Sequence, residues 1–277
     1  MPVYNGERFI EMAIESILGQ SFADFELIIC DNCSVDATRQ ICERYLTIDK
    51  RVRYHRNITN VGAPANYNVA FRLGSGRYFK WAASGDVCGA GLFERCIQAL
   101  ESNPQAVLAF PRTRLFEDVP EQFSEYDDRI NIEHESGCDR FCALLDNLRL
   151  NNAMNGVIRT STLSRTKPYG RFSASDVVLL AELALRGKFV QVEGAYFYRR
   201  MAPETTAGMR SSRELLTHLA PEMKSPIRYP EWRFWLGMCN AIGRARPGFA
   251  ATSCAAWSVL RRIVWSRREL WSELWSH

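Results

Sequence analysis

Glu26-Leu27-Ile28-Ile29-Cys30-Asp31-Asn32 is a short, unbroken apolar run that stops abruptly at an acid and an amide. A run of this length, apolar on both faces, reads as a parallel strand buried under helices, with a polar loop at its carboxyl end. Upstream, Ile10, Ala13, Ile14, Ile17 and Leu18 share one helical face, so a helix is expected over Glu7–Leu18, with Gly19 where a cap belongs. Downstream the same alternation continues. The spacing predicts a helix over Asp36–Tyr45, a strand over Val52–His55, a helix over Pro64–Leu73 and a strand over Tyr78–Ala83. Alternation at this spacing calls for repeated βαβ units and a mainly parallel sheet flanked by helices. In such a sheet the ligand edge is the carboxyl edge, where the polar residues gather here.

From Arg112 to Ser136 the pattern gives way to an acidic stretch with no clean period, read as a long connection. Order resumes with a helix near Cys138–Leu148, a strand near Gly156–Ile158, and a helix over Asp176–Arg186 capped by Gly187. Two strand-like runs follow, Phe189–Val192 and Ala195–Tyr198. Beyond Pro203 the composition turns to Arg, Trp, Ser and Leu. This divides the chain into an α/β body over 1–204 and a helical appendage over 205–277.

The totals restrict the classes of function. With 277 residues, 47% hydrophobic and 24% charged, the chain can bury a sizeable core and is too apolar for disorder. The net charge of +4 is small and the bases are dispersed until the last third, so no nucleic-acid partner is expected. The nine cysteines read as reduced thiols in a cytosolic compartment, because a chain this long needs no disulfide staples. The start lacks a secretory pattern, and no window holds the roughly 18 apolar residues a membrane span requires. No Gly-x-Gly-x-x-Gly follows a first strand, which argues against a dinucleotide-dependent dehydrogenase.

Three motifs come in order: Pro2-Val3-Tyr4-Asn5-Gly6-Glu7, Asp31-Asn32-Cys33-Ser34-Val35-Asp36-Ala37-Thr38, and Asn60-Val61-Gly62-Ala63-Pro64-Ala65-Asn66. As a set, over residues 1 to about 205, they resemble family 2 glycosyltransferases, enzymes of the GT-A fold. Pro2, Tyr4 and Glu7 then line a base and ribose pocket, and Asp31 accepts from a uracil-type ring nitrogen. Asn60, Asn66 and Ser84 join the nucleotide-sugar site. On the residues alone, Asp31, Ser34 and Asp36 equally suit a turn and a helix cap, and Asn60 and Asn66 suit turn geometry.

In the family, the strand end matching Trp81-Ala82-Ala83-Ser84-Gly85-Asp86 carries paired carboxylates for a divalent cation, Mg²⁺ or Mn²⁺, on the diphosphate. Here Asp86 is the one carboxylate left, and Gly85 stands where the first would align. A second ligand is missing too, since Ala202 stands before Pro203 where the resemblance expects His. Three explanations stay open: Asp86 holds a weakly bound cation, Arg199 and Arg200 neutralise the diphosphate through their planar forks, or transfer is impaired.

Asp176 matches the family position of the base that deprotonates the acceptor, although Ser175 and Asp176 are also ordinary first-turn residues. The resemblance thus implies a transfer, with inversion, from a nucleoside-diphosphate sugar, uridine-linked, to a hydroxyl of a glycan or lipid-linked acceptor. Its rival is a non-catalytic relative that binds nucleotide-sugar or glycan. Trp257, Arg261, Arg262, Trp265, Arg267, Arg268, Trp271 and Trp275 fit either a helix packed on its own domain or peripheral membrane contact. Finally, the family has a hydrophobic strand before Pro-Val-Tyr-Asn. Since Met1 abuts that motif here, the natural start is expected upstream, or this form to be poorly stable.

Overall fold

The computed structural model describes residues 1–201 and 229–275. The expected comparison at Ala202 and Pro203 lies outside the described residues.

Strand β1 (Pro2–Val3), helix α1 (Ile10–Leu18), strand β2 (Leu27–Asp31), helix α2 (Thr38–Ile48), strand β3 (Val52–Arg56) and helix α3 (Ala63–Leu73) form the first unit. Its sheet runs β1-β2-β3, wholly parallel, and all five residues of β2 are buried. The apolar run Leu27–Asp31 is therefore a strand buried on both faces. Each end of the expected helices shifts by only a few residues, as fraying termini do.

Next come β4 (Tyr78–Phe79), β5 (Val87–Cys88), α4 (Leu92–Ser102), β6 (Ala106–Phe116), β7 (Phe123–Tyr126), α5 (Gly137–Asn147), β8 (Val157–Arg159), α6 (Thr160–Leu163), α7 (Ser175–Arg186) and β9 (Lys188–Arg200). The second sheet has the order β4-β8-β6-β9-β5, with β7 paired to β6. The long β6–β9 pair is parallel, while β4–β8, β6–β8, β5–β9 and β6–β7 are antiparallel. Parallel pairing thus holds for the first sheet and for the spine of the second, and antiparallel strands complete the rest.

Several elements correct the sequence-based expectations. Residues 112–136 are not one connection, because β6 continues to Phe116 and turns back through β7. Thr113 and Phe116 are buried, whereas Arg114 stacks 3.4 Å from the Tyr196 ring centroid and 4.0 Å from that of Phe123. The polar letters are one face of a hairpin. The two strand-like runs after Lys188 are one strand, β9, carrying a bulge where Gly194 sits at φ 71°. Glycine adopts that conformation without steric cost. The strand expected over Tyr78–Ala83 pairs only at Tyr78–Phe79, as Lys80 turns its ammonium to the Asn155 carbonyl and the Trp81 indole donates to the Tyr67 carbonyl at 3.1 Å. Helix α4, absent from the expectations, buries Leu92, Cys96 and Leu100 completely at a four-residue spacing.

Helices α8 (Pro230–Ala245), α9 (Phe249–Trp265) and α10 (Arg267–Trp275) follow. Trp235, Met238, Ile242, Ala255, Val259 and Leu270 from these helices enter the same core as Leu108, Phe110, Phe141 and Phe189. Fully burying such a side chain contributes roughly 1.5–3 kcal/mol. Segments on either side of the expected 204/205 boundary therefore share one core. Two further ties join them. Glu182 of α7, fully buried, pairs with Arg186 at 2.8 Å and with Arg244 of α8 at 2.7 Å. Cys138 of α5 and Cys254 of α9 form a disulfide, which corrects the expectation of reduced thiols throughout. The sequence offered no sign of it because the two cysteines lie 116 residues apart and meet only through helix packing. No helix among the described residues is long and apolar enough to cross a membrane.

Candidate active site

At the carboxyl edge of the first sheet, the loops after β1 and β2 are laced together. Asn5, at φ 50°, donates its backbone N–H to Ser34 Oγ at 2.9 Å and accepts from the Val35 N–H at 3.0 Å. The Gly6 N–H donates to Thr38 Oγ1 at 2.8 Å and the Glu7 N–H to Asp36 Oδ2 at 3.0 Å, while Glu7 Oε2 accepts from the Ala37 N–H at 2.8 Å. Burial acts to raise the pKa of Asp36, but donors from Thr38 and Glu7 outweigh it and hold the carboxyl below its ordinary range. Pro2 is buried in β1, and Tyr4 stands 48% exposed on the rim.

Asp31 lies beneath this lacing and is completely buried. Its Oδ1 accepts from the Ser34 N–H at 2.8 Å, and its Oδ2 accepts from the Tyr54 hydroxyl at 2.6 Å and pairs with Arg56. Burial, followed by the bond to Asp31, raises the Tyr54 pKa well above the usual phenol value. Three donors already engage the carboxylate expected to meet a uracil-type nitrogen, out of about four acceptor positions. The geometry gives it the task of holding Tyr54, Arg56 and the loop after β2.

The amides behave likewise. Asn32 donates to Asn60 Oδ1 at 2.7 Å, Asn57 donates to Asn32 Oδ1 and Asn66 Oδ1 at 2.9 Å each, and Asn66 donates to the Cys30 carbonyl at 2.7 Å. Asn60 also accepts the Gly62 N–H at 3.0 Å. Asn60 and Asn66 thus close the loop between β3 and α3, the turn role that the residues alone left open.

A different arrangement surrounds Tyr67 of α3. Burial comes first in raising its pKa to about 12, and Asp86, Asp176 and Arg199 all act on its hydroxyl electrostatically. These three groups come from separate places: the bend before β5, the first turn of α7, and the end of β9. The Tyr169 ring lies 5.1 Å from Tyr67 and 5.0 Å from Trp81, which makes one wall aromatic. Asp86 is raised above its ordinary range, first by desolvation, with its Oδ1 accepting the Arg200 N–H at 2.8 Å. Ser84 is half-buried two residues before it. Asp176 follows Ala174, which at φ 60° turns the chain into α7, and its Oδ2 accepts from Asn151 Nδ2 at 2.5 Å. Asn151 Oδ1 is buried without a hydrogen-bond partner, an acceptor left open beside the carboxylate.

The two arginines differ. Arg200 is buried. Its guanidinium donates to the carbonyls of Gly85 (3.0 Å), Glu117 (2.6 Å) and Asp118 (2.9 Å), and it lies over the Phe9 and Phe116 rings. It braces the Asp86 bend, so the expected phosphate contact is not open to it in this arrangement. Arg199 is half-buried and donates to Asn152 Oδ1 at 2.6 Å; Asn152 in turn donates to buried Asp128 at 2.8 Å, and Thr113 donates to the same carboxylate at 2.6 Å. Sequence reading missed Tyr67, Asp128, Asn151 and Asn152, and nothing in their local pattern distinguishes them from ordinary helix and loop residues.

Among the described residues no group of three or more His, Cys, Asp or Glu could hold a metal ion. Asp86 has one oxygen taken by a backbone donor and stands among Lys80, Arg199 and Arg200. Hard divalent cations need several oxygen ligands, so these residues do not fit a carboxylate metal site. A 30 Å³ cavity lies elsewhere, between α7 and α8, lined in part by Ser175, Glu182, Gly237 and Arg244, and it is too small for a sugar. We place the candidate site around half-buried Tyr67, because that is where titratable groups of opposite sign come together.

The model of glycosyl transferase family 2 matches residues 1–155. A curated relative, the Escherichia coli UDP-Glc:alpha-D-GlcNAc-diphosphoundecaprenol beta-1,3-glucosyltransferase WfgD, is 34% identical over 103 residues, 37% of this chain and 40% of that protein. The chain thus spans well under two thirds of the curated relatives it matches. Among solved structures, Staphylococcus aureus TarS 1-349 in complex with UDP-GlcNAc superposes with a TM-score of 0.64 at 18% identity, covering 96% of this chain and 72% of that one. The mannosyltransferase PcManGT of Pyrobaculum calidifontis, solved with GDP-Man and Mn²⁺, gives 0.54 at 14% identity, covering 99% and 82%. At those identities the likeness speaks for the fold.

Proposed function

Because the chain belongs to glycosyl transferase family 2, we propose that it passes a sugar from a nucleoside-diphosphate sugar, uridine-linked, to a hydroxyl of a glycan or lipid-linked glycan precursor, with inversion. The observation that carries this reading is that the adjacent amides of Asn151 and Asn152 hold the Asp176 carboxylate and the Arg199 guanidinium, bringing an acid and a cation from different elements to one place. Asp176 takes the proton of the acceptor hydroxyl as that oxygen forms the new bond to the sugar's anomeric carbon. The bond from that carbon to the diphosphate breaks on the opposite face, and the leaving group departs with its electron pair. A general base of this kind contributes roughly 10²–10⁴ in rate. Asn151 holds the carboxylate through its side-chain amide. Arg199, fixed by Asn152, supplies positive charge toward the diphosphate. The acceptor class follows the lipid diphosphate named for the E. coli relative.

The incomplete carboxylate pair favours a second reading, a relative that binds nucleotide-sugar without turning it over. Calorimetric titration with a panel of nucleotide-sugars, with and without Mn²⁺, separates the two. Metal-independent binding together with turnover supports the transferase, and tight binding with no product supports the alternative. Gly85→Asp adds an arm to the test. A Cβ at Gly85 would meet its nearest neighbour, the Phe9 ring, at 3.9 Å, so the pair can be rebuilt without a clash and metal-dependent donor binding should appear.

A further inference from the structure

Helix α9 buries little of itself. Ala255, Ser258 and Val259 form its buried seam, while Trp257, Leu260 and Val264 are exposed by half or more. Together with exposed Arg261 they fall at positions i, i+3, i+4 and i+7, one continuous face. Trp265 follows at the helix end, 67% exposed, with the Arg261 guanidinium 5.2 Å from its ring centroid. Helix α10 repeats the arrangement. Only Leu270 is buried, and Arg267, Arg268, Trp271 and Trp275 face outward, Trp275 at 84% exposure.

The charges on this surface are one-sided. Arg261, Arg267 and Arg268 have no carboxylate partner among the described residues, while Glu273 turns inward and accepts the Glu231 N–H at 3.0 Å. Glu269 is the one exposed acid on α10. A second copy of the chain is a poor occupant, since a two-fold contact would set this basic face against an identical basic face. Tryptophan and leucine interleaved with unpaired arginine instead match the boundary of an anionic bilayer, where indoles enter the headgroup layer and arginines meet phosphate.

We propose that the outer face of α9 and α10 seats this protein on an anionic lipid bilayer. The proposal deepens the reading of a lipid-linked acceptor and rests on it, since the face would hold the Asp176 site at the surface where such an acceptor lies.

The test is co-sedimentation of the full chain with vesicles of phosphatidylcholine alone, or mixed in equal parts with phosphatidylglycerol. Binding to the mixed vesicles should be at least about tenfold tighter than to the neutral ones. The Trp257→Ala/Trp265→Ala variant should lose about tenfold, and Arg261→Gln/Arg267→Gln/Arg268→Gln should erase the preference for anionic vesicles. All substituted residues are exposed, and unchanged thermal melting of the variants confirms that the fold is kept. Equal sedimentation of parent and tryptophan variant would overturn the proposal. So would absence of vesicle binding with a dimer in sedimentation velocity that the tryptophan variant dissolves. No donor is present in this assay, so failure of donor binding in calorimetry strikes the transferase reading alone.

Discussion

The edges of the two sheets carry similar side chains and use them differently. At the first, Asp31, Asp36, Asn60 and Asn66 have their polar atoms taken by backbone groups and by one another. Around Tyr67, Asp176 accepts from the Asn151 amide and from the Val177 N–H, Asn151 Oδ1 has no hydrogen-bond partner, and the Arg199 guanidinium donates to Asn152. Asp31 holds three donors, the Arg56 cation among them, whereas Asp176 holds two neutral ones and keeps more acceptor capacity. Residue type at a strand end does not separate the two cases; the number of partners does.

The comparison breaks most decisively at Asp176. Asp176→Asn should lower transfer on the order of a thousandfold with donor affinity unchanged, read by initial rates beside calorimetry. Retained activity would move Asp176 into the same structural class as Asp31. Asp31→Ala should act through stability, because it removes the buried partner of Arg56 and Tyr54. Arg56 reaches solvent and can rehydrate, which brings the cost to about 2 kcal/mol, below that of breaking a fully buried pair. Urea unfolding measures it, and a variant as stable as the parent would mean the lacing does not depend on Asp31.

The smallest effect concerns Asp86, and its sign is the informative part. Desolvation raises the folded-state pKa of this carboxyl, so its ionised form opposes folding. The penalty is absent below the unfolded pKa, grows as pH rises through the folded pKa, and is complete above it. Asp86→Asn should therefore raise Tm by a few degrees at neutral pH, with the gain shrinking as pH falls into the ordinary aspartate range. A lower Tm at neutral pH would show that the Arg200 backbone contact outweighs burial.

Much of the first unit was legible in the sequence because its signals are local. Leu27–Asp31 is apolar on both faces, and Ile10, Ala13, Ile14 and Ile17 recur at helical spacing. Asp176 at the start of α7 was found from the resemblance together with a helix periodicity that holds. What escaped depends on distant partners. The outward face of the β6–β7 hairpin looks like a polar linker until Phe123 and Tyr196 close on Arg114. Arg199 and Arg200 are neighbours of identical chemistry, yet they alternate to opposite sides of β9, so one braces a bend and the other faces the aromatic wall. The Cys138–Cys254 pairing and the Asn151–Asp176 contact likewise join residues with no shared local pattern.

Glu182 sits about two turns along the helix that begins at Ser175, and one of its cations, Arg244, comes from α8. Without Arg244 this buried carboxylate keeps Arg186 alone as its cation and loses part of its compensation. Residues 1–201 produced alone should thus be recognised as damaged by cellular proteases, whereas co-expression with 229–275 should rescue them by fragment complementation. The tail then acts as an intramolecular chaperone for the helix that carries Asp176.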